Sequence, residues 1–590
     1  MKLHATSAKA GPDNVADTFG RILQARAAER PHRKAFVFLD SQGGVADELT
    51  FAELDRRARR IAEELMVSGL RDQRVLLMYP PGLDFITALF GCFYSGAVAV
   101  PLPYLTGKRA VERINAICRN ADPAGVLTLD RIRKDPEVQT AFLGQSDEIV
   151  WIHSDALVAK PQFLPAPMPD AGDLAMLQYT SGSTSAPKGV MLSHANLVAN
   201  SAMISEAFEH DETLRGVGWL PLFHDMGLVG HVLQPVYVGG LSVLMSPLSF
   251  LQRPARWLQA ISKWKATTSG APTHGFQVCL KAIRDEQLQD LDLSSWKLAY
   301  CGSEKIHGDV LEQFSNRFEP YGFDRRSLYP CYGLAEATLL VTGNRRGSGI
   351  RRAVPDPATE ASTPQHPAVS CGSTWGNASV VIADPHSRIR HADGRIGEIW
   401  IQGRQVGNGY WRQAAASGET FQIRLADGSG PYLRTGDLGF IRNGELFIVG
   451  RIKDTIVIRG LKHAAEDIEI TVARSHHSFA GLAGAAFGIE AGDQEHAVVV
   501  QEVDRKVAQC DDQDEAIASA FECITRQHGL RLLDLVLVRV GALPRTSSGK
   551  VQRARARAIY SEGGFKRLNQ PSPSCSINSQ GSAIRSGTWS

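Results

Sequence analysis

At 590 residues the chain is too long for a single hydrophobic core, so two or more domains are expected. Apolar residues at 43% and charged residues at 21% describe an ordinary globular composition, and a formal net charge of +2 leaves no electrostatic case for a nucleic acid or an anionic membrane as partner. The nine cysteines (Cys92, Cys118, Cys279, Cys301, Cys331, Cys371, Cys510, Cys523, Cys575) form no CxxC pair, the pattern of reduced thiols in the cytoplasm. His476-His477 has no Cys or acidic neighbour to complete a metal site and is read as surface.

Residues 1–14 lack the apolar core of a signal peptide. Residues 15–70 read as helical in two pieces. Asp17-Thr18-Phe19 opens the first, and Thr50 with Glu53 forms a capping-box signature before a run to Met66. Arg74 to Tyr79 reads as a strand. Residues 85–105 carry no charge and are long enough to cross a bilayer, but Ser95-Gly96 interrupts them and Pro101 and Pro103 end them. A buried helix through Phe93 and a strand over 97–100 are expected instead. Further apolar runs at 125–128 and 148–152 lie between helical segments. This alternation predicts an α/β fold with largely parallel sheets.

The stretch Gln178-Tyr179-Thr180-Ser181-Gly182-Ser183-Thr184-Ser185-Ala186-Pro187-Lys188-Gly189-Val190-Met191-Leu192 reads as a strand, a hydroxyl-rich loop and a short strand, with a helix opening near Ser193. Small residues let the backbone approach a polyanion, hydroxyl and N–H groups supply donors, and Lys188 supplies a cation. Such a loop suits a triphosphate. It lacks the spacing of a Walker A loop, and a surface linker of the same composition is the alternative. Three more polar turns follow apolar runs: Phe223-His224-Asp225-Met226-Gly227, Cys301-Gly302-Ser303-Glu304 and Tyr332-Gly333-Leu334-Ala335-Glu336. Open α/β sheets bind ligands at such strand ends. A lone His, or an Asp in a Thr-Gly-Asp turn, is ordinarily structural.

Further matches are Gly397-Glu398-Ile399-Trp400, Gly409-Tyr410-Trp411, Thr435-Gly436-Asp437-Leu438-Gly439, Gly450-Arg451-Ile452-Lys453-Asp454 and Ser547-Ser548-Gly549-Lys550. Together with the four turns, and in this order over residues 15–560, they resemble the adenylate-forming superfamily of acyl-CoA ligases, luciferases and peptide-synthetase adenylation domains. The run from Trp219 to Leu228 and the motifs between Gly409 and Phe440 are similar to those of its fatty acyl-AMP ligases. The polar, Pro-rich segment over 342–370, ending in Val369-Ser370-Cys371-Gly372, resembles the insertion that marks that branch.

The resemblance implies a large, multi-subdomain N-terminal domain over 1–452, with mostly parallel sheets flanked by helices and the insertion around 343–370. A small mobile α+β C-terminal domain would follow over 453–562, with Lys453 at the hinge. The Ser-, Pro- and Gly-rich residues 563–590 read as a disordered tail. The implied reaction uses ATP and Mg²⁺ to convert a fatty acid to its acyl-adenylate, then passes the acyl group to the phosphopantetheine thiol of a separate holo acyl carrier protein. Nucleic acid and a membrane span are not expected.

In this scheme Thr180, Ser181, Gly182, Ser183, Thr184 and Lys188 hold the β- and γ-phosphates, and Glu336 ligates Mg²⁺. Lys550 bridges carboxylate and α-phosphate, and His224 sits near the acyl carboxylate. Gly302, Ser303, Glu304 and Tyr332 line the adenine slot, with Gly333, Leu334 and Ala335 beside it, while Asp437 and Arg451 hold the ribose. Two departures bear on this expectation. Ser185 stands where the family has glycine, and Ala464-Ala465 replaces an aromatic-proline pair in a segment expected to face the acceptor. A fatty acyl-CoA ligase and a non-catalytic homologue are the competing readings.

Overall fold

The computed structural model describes residues 17–104, 108–142, 149–158, 167–180, 187–356, 367–458, 461–491, 494–504, 512–545 and 550–569. These fall in two compact units. The first comprises Met1–Gln178, Val190–Glu206 and His210–Ser246; the second comprises Tyr179–Gly189, Ala207–Glu209 and Pro247–Ser590.

In the first unit the helix Phe19–Glu29 is capped by the Thr18 hydroxyl, which accepts from the Arg21 N–H. The helix Phe51–Val67 begins with the expected capping box: Thr50 Oγ1 accepts the Glu53 N–H and Glu53 accepts the Thr50 N–H. Phe51, Leu54, Ala58, Ile61, Ala62 and Leu65 recur at helical spacing, and all are buried. Between these helices residues 15–70 are not purely helical, contrary to expectation. Lys34–Leu39 and Val45–Thr50 form an antiparallel hairpin. Lys34–Leu39 also pairs in parallel with Leu241–Met245, which pairs in parallel with Arg215–Gly218. The polar second strand carries no apolar alternation, so only tertiary pairing defines it.

A second sheet runs in the order Val150–His153, Gly125–Thr128, Arg74–Leu77, Val98–Pro101 and Leu174–Thr180. The uncharged stretch is the buried helix Asp84–Ser95, ended by Gly96 at φ +78°, and then the strand Val98–Pro101. Among the described residues no helix is long and apolar enough to cross a membrane.

The second unit contains the parallel strands Thr268–Ala271, Leu298–Cys301 and Leu328–Gly333, continued by antiparallel Leu340–Gly343 and Ser373–Thr374. Trp257, Phe276, Trp296, Phe314 and Phe323 interlock edge-to-face beside these strands. An entirely antiparallel sheet follows, in the order Ser379–Ala383, Gly397–Gln402, Leu433–Arg442 and Glu445–Arg451. Of the Pro-rich segment over 342–370, residues 357–366 lie outside the described residues. Its ends are not mere loop: Arg352–Ala353 and Ala368–Val369 pair as a short antiparallel ribbon, and Ala368 packs with Ile396, Phe440, Phe447 and Val449.

The C-terminal part of this unit has a three-stranded sheet, Gly484–Ala491, Gln494–Val503 and Leu532–Arg539. The helices Ala465–Ser475, Asp512–His528 and Arg553–Ser561 accompany it, giving the α+β character expected. The expected disordered tail requires correction at its start. Leu568 N–H donates to the Leu537 carbonyl at 2.9 Å, the Asn569 amide bonds Leu535 and Leu537, and Arg567 pairs with buried Asp534. Phe565 and Leu568 pack on the apolar clusters around that sheet, which offsets the polarity of the surrounding sequence. Residues 570–590 lie outside the described residues.

Candidate active site

Three carboxylate-centred arrangements carry most of the chemistry of the second unit. Asp437 is the first. The register of the antiparallel sheet sets Asp437 opposite Arg451, and Arg451 Nε lies 2.7 Å from Asp437 Oδ1. Tyr332, at the end of the strand Leu328–Gly333, donates its hydroxyl to Asp437 Oδ2 at 2.7 Å. Asp437 is buried, and this neighbouring carboxylate raises the Arg451 pKa further. Burial first, and then Asp437, pushes the Tyr332 phenol well above its usual value. An ionised carboxylate has about four lone-pair positions, so both Asp437 oxygens retain acceptor capacity beside these bonds. The turn is braced from below by Glu398, a residue for which the sequence suggested no role. Glu398 accepts from the Gly436 N–H, Trp400 Nε1 and Arg434 Nε at 2.9–3.1 Å. Its sequence signals are the run Gly397-Glu398-Ile399-Trp400 and a carboxylate inside the otherwise apolar strand Gly397–Gln402.

Glu336 is the second. It sits on a single 3₁₀ turn, Ala335–Ala337, directly after the strand Leu328–Gly333. Thr338 follows at φ +67°, ψ −63°, and the Leu339 N–H donates to the Ala337 carbonyl, making a γ-turn of the strained hand. That strain is held by the segment 405–411. Thr338 Oγ1 donates to the Gln405 carbonyl at 2.7 Å, and the Gly407 N–H donates to the Glu336 carbonyl at 2.9 Å. Gly333 is obligatory here, since a Cβ would lie 1.8 Å from the Leu339 carbonyl oxygen. Tyr410 donates its hydroxyl to Glu336 Oε1 at 2.9 Å, and the Lys188 ammonium lies 4.7 Å from the Tyr410 ring centroid. Thr180 ends the strand Leu174–Thr180 and Lys188 begins the strand Lys188–Ser193, so the two flank the hydroxyl-rich loop. Ser181, Gly182, Ser183, Thr184 and Ser185 lie outside the described residues.

The third is the turn after the strand Leu298–Cys301. Gly302 packs on Cys331, and Ser303 adopts φ +72°. Glu304 accepts the His274 N–H at 2.8 Å, and burial raises its pKa. The Ser303 carbonyl accepts a hydrogen bond from Lys550 Nζ. Beside Lys550, the Gln552 N–H donates to the Pro544 carbonyl and Arg545 forms a β-bridge with Val551, which ties residues 541–545 to 551–552. Buried Glu502 anchors that segment, accepting from the Gly541 and Leu543 N–H groups and from Arg545. Two residues beyond Ser303, Lys305 pairs with Asp467 at 2.7 Å. Arg553, three residues after Lys550, pairs with Glu469 and Asp454. Nothing in the sequence pointed to Lys305, and Tyr410 stood out only as part of Gly409-Tyr410-Trp411.

His224 belongs to the first unit. Its Nδ1 lies 2.5 Å from Asp225 Oδ1, and the buried Gln178 amide donates to the Phe223 carbonyl, fixing the turn. Lys453 lies on the 3₁₀ turn Ile452–Asp454, and burial followed by Arg451 lowers its pKa. No group of three or more His, Cys, Asp or Glu among the described residues could hold a metal ion on its own.

The model of AMP-binding enzymes matches residues 23–411, and that of the Disco-interacting protein 2-like AMP domain matches residues 453–570. The chain is 40% identical over 560 residues to a medium-chain fatty acid–acyl-carrier-protein ligase of Moorena producens (strain JHB), covering 92% of this chain and 95% of the relative. The chain belongs to the AMP-binding enzymes, in their fatty acyl-AMP ligase branch. This enzyme is also 36% identical to a long-chain fatty acid–AMP ligase of Mycobacterium marinum, over 93% of this chain and 98% of that one. The crystal structure of a fatty acid AMP ligase from Legionella pneumophila superposes with a TM-score of 0.72 at 35% identity, covering 94% of this chain and 97% of that one. The matches agree with the resemblance read from the motifs. Enzymes of this family use ATP.

Proposed function

We propose that this ligase activates a fatty acid with ATP to the acyl-adenylate, releasing pyrophosphate, and then passes the acyl group to the phosphopantetheine thiol of a separate acyl carrier protein. The observation that carries the first half is the convergence of Tyr332, Asp437 and Arg451 with the Lys550–Ser303 contact in one unit. The relation to a carrier-protein ligase supports the second half. The seven described cysteines are free thiols, which supports a reducing, cytoplasmic setting.

A carboxylate is already a competent nucleophile, so no general base is required. The obstacle is the approach of two anions, which positioning and cationic groups overcome. We assign Lys550 to the space between the fatty acid carboxylate and the α-phosphate. Its reach is set by the segment anchored on Glu502. Thr180 and Lys188, with Ser181, Gly182, Ser183 and Thr184 of the loop between them, bind the β- and γ-phosphates. Asp437 accepts from the ribose hydroxyls, with Arg451 paired to it at 2.7 Å. Gly302, Ser303, Glu304, Tyr332, Gly333, Leu334 and Ala335 border the base, and His224 orients the acyl carboxylate.

Glu336 fits Mg²⁺, because this hard ion takes one or two carboxylates together with phosphate oxygens and water rather than an all-protein cage. When bound it would neutralise phosphate charge as a Lewis acid. We assign residues 1–452 to the adenylating domain and 453–562 to a mobile domain that turns at Lys453.

ATP–pyrophosphate exchange with a series of fatty acids tests the first half. Fatty acid-dependent exchange is expected, and Lys550→Ala should lower it by about 10² to 10³ while ATP still binds. Unchanged exchange in that variant would contradict the role of Lys550.

A further inference from the structure

The roles assigned so far leave out Tyr410, yet it touches both residues on which metal and phosphate binding rest. Its hydroxyl donates to Glu336 Oε1 at 2.9 Å, and its ring faces the Lys188 ammonium at 4.7 Å. The side chain is 6% exposed and packs edge-on against Phe421, with ring centroids 5.1 Å apart. Its backbone is pinned on both sides. The Tyr410 N–H donates to Ser417 Oγ at 2.8 Å, and the Trp411 N–H donates to the Gly189 carbonyl, the residue after Lys188, at 2.8 Å. The Gly407 N–H donates to the carbonyl of Glu336 itself. One short segment, 405–411, is thus bonded to the turn that carries Glu336 and to the strand that carries Lys188.

We infer that Tyr410 is a positioning residue that couples the carboxylate of Glu336 to the ammonium of Lys188, so that metal and phosphates are bound in one fixed geometry. The inference rests on the roles proposed above for those two residues. A phenolic O–H donated to one carboxylate oxygen fixes the rotation of that carboxylate about its terminal bond. Such outer hydrogen bonds are worth about 10- to 100-fold in metal affinity. The ring face attracts the ammonium through its quadrupole without using any of its three N–H donors, which remain suited to phosphate oxygens. Packing alone would require the ring. Coupling requires the hydroxyl as well.

The substitutions Tyr410→Phe and Tyr410→Leu separate the two contacts. Binding of the α,β-methylene analogue of ATP is measured by calorimetry across a Mg²⁺ series, and Mn²⁺ binding by electron paramagnetic resonance, with Glu336→Gln alongside. Tyr410→Phe should raise the metal concentration for half-maximal analogue binding by about tenfold, leave metal-free binding of the analogue unchanged, and regain wild-type turnover at saturating Mg²⁺. Tyr410→Leu should weaken metal-free binding as well. An unchanged metal requirement in Tyr410→Phe, with that of Glu336→Gln raised, would overturn the coupling while sparing the role of Glu336. An unchanged requirement in both would overturn it by removing the reading on which it rests.

Discussion

Buried ionisable side chains divide here into those whose charge is answered and those kept neutral. Asp437 is answered by Arg451 and Tyr332, and Glu398 by Arg434 together with two N–H donors. His194 and His231 in the first unit are the opposite case: burial pushes each imidazole down to about 4. The ordinary value of about 6.5 applies once the chain unfolds. Because the folded pKa is the lower one, the stabilising contribution is present above about pH 6.5. It is lost as the pH falls towards 4, and amounts to about 3 kcal/mol for each fully buried ring. The thermal midpoint should therefore decline between pH 6.5 and 4, and His231→Asn should flatten that decline. An equally steep decline in the variant would show that His231 does not carry the effect.

Among the elements, the end of the strand Leu298–Cys301 and the helix Ala465–Ser475 are joined by the ion pair of Lys305 with Asp467, side chains 17% and 8% exposed. Burial disfavours the Lys305 charge, but Asp467 and then Glu466 outweigh it, so its pKa is raised. Removing one partner of such a pair costs about 3–5 kcal/mol, whereas replacing both by apolar groups can be neutral. Lys305→Met should therefore destabilise by more than the double variant Lys305→Met with Asp467→Leu. Denaturant unfolding checks this, and additive losses would contradict it.

Much of this level was legible in the sequence. The Thr50–Glu53 capping box, the Gly96 stop and the strand ends that place Glu336 and Ser303 all follow from local rules. The strand Val45–Thr50 was not legible, because a polar edge strand has no periodicity of its own. Tyr410 was equally hidden. Its importance lies in partners 74 and 222 residues away, which only tertiary structure brings together.

For the molecule as a whole, motif order gave the family before any geometry was available. The antiparallel sheet from Ser379 to Arg451 and the packing of residues 563–569 needed the structure, since both depend on distant partners such as Asp534. The proposed path of the acyl group runs from the adenylate to a carrier-protein thiol. The most direct test incubates the enzyme with ATP, Mg²⁺ and a series of fatty acids. Acyl-AMP is resolved from thioester with CoA, with a holo acyl carrier protein, and with neither. Acyl-AMP is expected to persist with CoA and to be consumed by the carrier protein. Conversion to acyl-CoA, with the carrier protein left unloaded, would contradict it.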